Sequence, residues 1–209
     1  MILETFAVGM LQCNCTILAS GPSGDAIVVD PGDDPDQIMK RLSRHDLRLR
    51  QIVSTHAHID HVGAIHALQE RTGANASLHA HDMFLFDCLK EQASWLGIVP
   101  PEQGRIDHFL EDGTPVESGG IALDVVHTPG HTPGSVTFHL GADDPILFTG
   151  DTLFLGSIGR TDLPGGSMPD ILDSIRRRLL KFRSDTRVIP GHGPETSIGR
   201  EQAENPFLR

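Results

Sequence analysis

The feature that most constrains this chain is the run His56-Ala57-His58-Ile59-Asp60-His61. It follows R-L-R-Q-I-V-S, which reads as a strand, and leads into a stretch that reads as a helix from about Val62 to Arg71, closed near Gly73. At a strand end, residues 56 and 58 share one face, so two imidazoles can converge on one cation. Asp60 and His61 open the next helix, offset enough to address a second cation a few ångströms away. A closed structural zinc site usually draws on Cys, and none lies near this run.

Three further loops offer complementary donors. In P-G-H-T-P-G-S, a strand-to-turn-to-strand element, Pro and Gly pin the backbone around His131. T-G-D-T follows the apolar strand I-L-F and presents Asp151, a carboxylate able to bridge two metals. I-P-G-H-G-P follows the last strand and presents His192. Asp30, in V-V-D-P-G, is another strand-end acid that either orients a ligand imidazole or caps a turn. Twelve His and no Tyr fit a site of this kind. His127 reads as a plain strand-end residue, and His79 and His81 as surface.

Strands are expected at residues 2–8, 15–20, 26–30, 121–126, 135–140, 146–149 and 187–189, with helices from Asp36 to His45 and over 169–181. The alternation gives a mixed α/β chain with its chemistry on strand-end loops. Residues 81–112 are apolar without a clean period. They read as a helix and loop packed on the core, or as a lid lining an apolar substrate wall.

A length of 209 residues suits one compact domain, and a net charge of −11 argues against nucleic-acid and anionic-membrane partners. Arg176-Arg177-Arg178 reads as the solvated face of a helix whose buried side is Leu172, Ile175, Leu179 and Leu180. Cys13 and Cys15 fall on one strand face and suit packing better than a disulfide. The N-terminus has no basic lead and no long apolar run, so a cytoplasmic protein is expected.

Together with the early N-C-T strand, G-R-T-D and the closing N-P-F-L, these motifs resemble the metallo-β-lactamase-fold hydrolases. Within them, the chain looks like the short, single-domain glyoxalase II-like (hydroxyacylglutathione hydrolase-like) proteins. The resemblance implies one α/β domain over residues 1–209, a four-layer αββα sandwich, with no C-terminal glutathione-binding helical domain. It implies that His56, His58 and His131 bind a first metal, that Asp60, His61 and His192 bind a second, and that Asp151 bridges them. Asp60 and Asp151 are then also the catalytic residues. The cofactors implied are two divalent ions, zinc first and iron or manganese next. A hydroxide shared by two metals about 3.5–4 Å apart would attack the carbonyl of a small-molecule thioester, hydroxyacylglutathione first.

Arg160 resembles a basic substrate-binding residue of the full-length glyoxalase II proteins, while their tyrosine position is Asp162 here. Arg160 therefore either forks a substrate carboxylate or pairs with Asp162 to brace the loop. G-R-T-D also resembles the persulfide dioxygenases, which implies one iron on His56, His131 and Asp151 as an alternative. A non-catalytic metal-binding regulator on the same fold is a third reading.

Overall fold

Residues 26–29 (A-I-V-V) are wholly buried, as a strand covered on both faces must be. They belong to β3 (Asp25–Val29) of a six-stranded sheet with β1 (Ile2–Val8), β2 (Cys13–Ala19), β4 (Arg48–Val53), β5 (Asn75–His79) and β6 (His108–Leu110), in the order β1-β2-β3-β4-β5-β6. The computed structural model describes residues 1–141 and 144–209. The chain forms two compact units, the first comprising residues 1–110 and 117–121 and the second residues 111–116 and 122–209.

In the first unit, β1, β2 and β3 pair antiparallel, while β3, β4, β5 and β6 run parallel. Parallel neighbours need crossovers, and helices supply them. They are α1 (Pro35–Arg44), α2 (Ile59–Val62) and α3 (Ile65–Thr72), then α4 (Met83–Phe86) and α5 (Leu89–Leu96). Ile38 and Leu42 of α1, Ile65 and Leu68 of α3, and Phe86 and Leu89 near α4 and α5 enter one core with Ile17, Val28, Ile52 and Leu78. Cys13 and Cys15 are buried in that core as free thiols.

The single helix expected from Val62 to Arg71 is two helices. Gly63 separates them at a point where a side chain is excluded: a Cβ there would lie 2.4 Å from the Gly32 carbonyl oxygen. Residues 81–112, without a clear period in sequence, hold α4, α5 and the short strand β6. Their apolar residues divide between core and surface, which erases any single periodicity.

β7 (Val116–Ser118) lies where the chain passes between the units. In the second unit, β8 (Ile121–His127), β9 (Val136–Leu140), β10 (Ile146–Gly150), β13 (Arg187–Pro190) and β14 (Thr196–Ser197) lie in the order β14-β13-β10-β9-β8. A small hairpin, β11 (Leu153–Phe154) with β12 (Ser157–Ile158), follows β10. β10 and β13 are parallel, joined by α6 (Met168–Ser174) and a wider π turn at Ile175–Leu179. The Leu180 N–H reaches the Ile175 carbonyl, so the helix expected over 169–181 changes its winding halfway. α7 (Ile198–Glu204) closes the unit, placing Ile198 in a core with Leu147, Ile171, Ile175, Leu179 and Val188. Arg177 and Arg178 pair with Asp173 and Asp112 on the solvated face.

Candidate metal centre

Carboxyl ends of neighbouring parallel strands emerge on one edge of a sheet, and both units place their polar clusters there. In the first unit Val29 of β3 pairs with Val53 of β4, so the next residues, Asp30 and Ser54-Thr55-His56, come out side by side. The Asp30 N–H donates to the Val53 carbonyl at 3.0 Å. Asp30 has φ +52°, a conformation Asp tolerates better than most residues, and is almost fully buried. Its Oδ1 accepts the Thr55 N–H at 2.7 Å and its Oδ2 the Thr55 hydroxyl at 2.8 Å. Oδ2 also lies 3.1 Å from His61 Nδ1. Since the Thr55 hydroxyl donates to Asp30, it accepts from His56 Nδ1–H at 3.1 Å. One carboxylate thereby orients two imidazoles, and Nε2 of each is set as the atom that would hold a cation.

His56, His58 and His61 cluster around this point. The rings of His56 and His61 are 4.0 Å apart and those of His56 and His58 are 4.9 Å apart, the latter pair at 88°. Asp60 Oδ2 lies 3.8 Å from His61 Nε2. Cys13 Sγ sits 3.5 Å from His61 Nδ1, and burial pushes its thiol pKa up to about 12, so it packs as a neutral group.

The backbone of the His56–Asp60 loop is held from below by two buried residues that its sequence does not announce. Asp82 accepts the Ala57 N–H at 3.0 Å. Gln92 accepts the Ile59 N–H at 2.9 Å and donates to the carbonyls of Ala57, at 3.2 Å, and Leu85, at 2.8 Å. Asp82 follows a strand, as Asp30 does, and that position is its one sequence signal. Gln92 has none.

In the second unit Gly150 of β10 pairs with Pro190 of β13, and the Gly191 N–H donates to the Gly150 carbonyl at 2.8 Å. Asp151 and His192 therefore leave adjacent strand ends together. Asp151 Oδ1 lies 3.7 Å from His192 Nε2, and Oδ2 lies 3.6 Å from His131 Nε2. Each carboxylate oxygen thus faces a different imidazole. His131 is fixed by its Nδ1–H, which donates to the Arg160 carbonyl at 2.8 Å. Gly130, at φ +138°, allows the loop to pass α6, where a Cβ would lie 2.2 Å from the Ile171 nitrogen.

Arg160 braces its loop in this structure. Its guanidinium donates to Asp162 through Nε at 2.7 Å and a terminal nitrogen at 2.8 Å. That fork holds the Asp162 carboxyl down to about 2. Both side chains are exposed, so a substrate carboxylate would have to displace Asp162. His127 ends β8 and meets the Pro133 carbonyl at 2.9 Å, while His79 and His81 lie at and just past the end of β5.

Nitrogen and carboxylate donors at strand ends, several of them buried with their second ring nitrogen anchored, are the donor chemistry that divalent zinc or iron takes. The pattern of the metallo-beta-lactamase superfamily matches residues 8–192. The chain belongs to that superfamily. It is 37% identical over 215 residues to the Haemophilus influenzae protein named hydroxyacylglutathione hydrolase GloC, with 100% of this chain and 98% of the relative covered. It is similar to the crystal structure of the BLEG-1 B3 metallo-beta-lactamase, with a TM-score of 0.91, 35% identity and 99% of each chain covered. The crystal structure of TTHA1623 in a di-iron-bound form gives a TM-score of 0.87 at 36% identity, covering 98% of this chain and all of that one. The α/β metallo-β-lactamase fold expected from the motifs is the fold these likenesses show. Among the described residues no helix is long and apolar enough to cross a membrane.

Proposed function

We propose that this superfamily member is a metal-dependent hydrolase whose substrate is a small-molecule thioester, with hydroxyacylglutathione the first to test. The observation that carries the two-metal reading is Asp151, whose two oxygens are turned to two different imidazoles at 3.6 and 3.7 Å. A carboxylate so divided suits a bridge between two cations, whereas a single-iron site needs only one of its oxygens. His56, His58 and His131 would hold one cation and Asp60, His61 and His192 the other, with Asp151 common to both. Bound there, divalent cations would supply Lewis acidity toward a carbonyl oxygen and lower the pKa of the attacking water. The protein's own contribution is orientation. Asp30, Thr55 and the Arg160 carbonyl fix the rings of His61, His56 and His131. Asp60 and Asp151 supply the negative charge that holds cations at an open site.

A thioester fits because its thiolate leaves without acid assistance near neutral pH. The GloC likeness supports glutathione as the thiol, and the fork of Arg160 is the group that would receive a glutathione carboxylate. Zinc is the first metal to load; the di-iron form of TTHA1623 makes iron the second, and manganese is the third.

The test is hydrolysis of lactoylglutathione by zinc-loaded protein beside His58→Ala and Asp151→Ala. Turnover that falls to background in both variants is the expected result. An active, metal-depleted variant would overturn the mechanism. Turnover of a β-lactam without turnover of any thioester would move the substrate toward that of the BLEG-1 relative, and oxygen uptake with glutathione persulfide would favour the iron reading.

A further inference from the structure

Glu201 of α7 is 1% exposed, three residues after Ile198 of the apolar core, and Asn205, one helical turn later, is equally buried. Interior carboxyl and amide groups are costly unless their polar atoms find partners, and an aliphatic side chain would fill the same space without that cost. What these two residues hold is main chain. Through Oε2 the Glu201 carboxyl accepts the Gly156 N–H at 2.8 Å and the Asn205 amide at 2.9 Å. Its Oε1 accepts the Thr196 hydroxyl at 2.5 Å. The Asn205 amide nitrogen also donates to the Ser157 carbonyl at 3.0 Å, while Oδ1 accepts the Phe207 N–H at 3.0 Å. Pro206 stops α7 at this point, so the closing N-P-F-L turns back on its own asparagine, and Leu208 packs on the core.

Gly156 lies in the turn of the β11–β12 hairpin and Ser157 opens β12. A ribbon with two residues per strand does not keep its shape unaided. Its base is set by Leu153 and Ile158 in the core and by the Thr149 hydroxyl, which donates to the Leu153 carbonyl at 2.9 Å. Its turn, with Gly156 at φ +65°, is set by Glu201 and Asn205.

Both ends of this excursion belong to the candidate metal centre. It leaves from Asp151, whose oxygens face His131 and His192, and returns at Arg160, whose carbonyl accepts His131 Nδ1–H at 2.8 Å. The return passes directly over the start. Gly159 N–H donates to the Thr152 carbonyl at 3.3 Å, and a Cβ on Gly159 would lie 1.8 Å from the Asp151 carbonyl oxygen. A hairpin that tilts about its base therefore carries the Arg160 carbonyl with it, whereas a metal ligand has to be held to within about 0.5 Å. We propose that Glu201 and Asn205 are positioning residues for the metal centre, fixing the hairpin and through it the Arg160 carbonyl that sets the His131 ring. This rests on the reading of His131 as a metal ligand above, and extends that centre to the C-terminal helix.

The experiment reads the ring itself in metal-free protein. Exchange of the His131 Nδ1 proton with water is followed by NMR on protein carrying isotope-labelled histidine, with His131→Gln giving the assignment. In the wild type the Gly156 and Gly159 amides and this ring proton should exchange through one opening, with equal protection and equal dependence on urea. Glu201→Ala and Asn205→Ala should each speed ring-proton exchange about tenfold or more. Each should also weaken zinc binding, measured by chelator competition, about tenfold, the low end of what loss of an orienting partner costs. Glu201→Gln keeps an oxygen for the Gly156 N–H while its NH2 meets the Thr196 hydroxyl, so both measures should stay within about threefold of wild type. Leu140→Ala opens a cavity at the far end of the sheet, where Leu140 pairs with Ile146. It should lower Tm and leave ring-proton exchange and zinc affinity in place. Alanine variants at 201 and 205 with wild-type exchange and affinity would overturn the clamp, as would a Leu140→Ala that loses as much as they do. Should both alanine variants fail to fold, exchange in the wild type decides: a shared opening supports the clamp, and Gly156 opening alone beneath a protected His131 ring overturns it. If the wild type binds no zinc, the metal-ligand reading fails by itself, and ring-proton exchange still decides the clamp.

Discussion

Replacing Asp30 by Asn is the sharpest probe of how this chain prepares its imidazoles. The substitution keeps the shape of the side chain and suits the backbone, because Asn tolerates φ +52° about as well as Asp; Ala would add strain of its own. What changes is hydrogen-bond polarity. The amide oxygen can still accept the Thr55 N–H, now 2.7 Å from Oδ1. The amide NH2 then faces the Thr55 hydroxyl and His61 Nδ1, at 2.8 and 3.1 Å from the present Oδ2. To avoid two opposed donors, His61 must place its proton on Nε2, the atom proposed above to hold a cation. Loss of such an orienting partner typically costs 10- to 100-fold in metal affinity. That corresponds to about 1.4–2.7 kcal/mol. Competition with a chelator of known affinity, on wild type and Asp30→Asn at neutral pH, measures it directly. The metal-free protein should lose about 1–3 kcal/mol for the mispaired buried groups, some 2–12 °C in Tm for a chain of this size. Asp30→Asn that binds zinc within threefold of wild type would refute the reasoning, whatever its activity.

Gln92→Ala removes the partner of the buried Ile59 N–H and of the Ala57 and Leu85 carbonyls. Roughly 2–4 kcal/mol should be lost, together with metal occupancy, and thermal unfolding with elemental analysis reads both. Gly32→Ala puts a Cβ 1.5 Å from the Asp60 carbonyl oxygen, so the loop must move; folded protein with sharply lower metal content is expected on gel filtration and metal assay. For Asp112, burial raises the carboxyl, but the His127 N–H and the Arg178 guanidinium outweigh it and hold its pKa below the ordinary value. A lowered folded pKa gives stability that is complete above the unfolded value and is lost as pH falls through the folded one. Asp112→Asn should therefore flatten the acid limb of stability below about pH 4. Urea unfolding of metal-free protein at pH 3 and pH 6 checks it: an unchanged difference between the two pH values would refute it.

Much of this site was legible because its information is local. His56 and His58 are two residues apart on an extended segment, Asp60 and His61 begin the next helix, and Pro-Gly punctuation marks His131 and His192. Such spacings act within a few residues and survive without knowledge of the rest of the chain. The helix at 36–45 was legible for the same reason, through Ile38 and Leu42 after an acidic, Pro-containing start. β6 was not, since a strand of three residues carries too few alternations to declare a period. Nor was the change of winding at Ile175–Leu179, where the same residues stay buried on either winding.

The sequence by itself determined which donors leave which strand ends, and hence the family and the class of chemistry. Only the tertiary structure decided which atom of each donor is presented. His131 is oriented by a carbonyl 29 residues away and His61 by an acid 31 residues earlier, while the loop between His56 and Asp60 hangs from Asp82 and Gln92. Arg160, which its motif leaves between a substrate fork and a brace, pairs with Asp162 in the folded chain. A residue's type and spacing set the chemistry it can offer. The tautomer, the rotamer and the competing partner depend on groups that only folding brings within hydrogen-bonding distance.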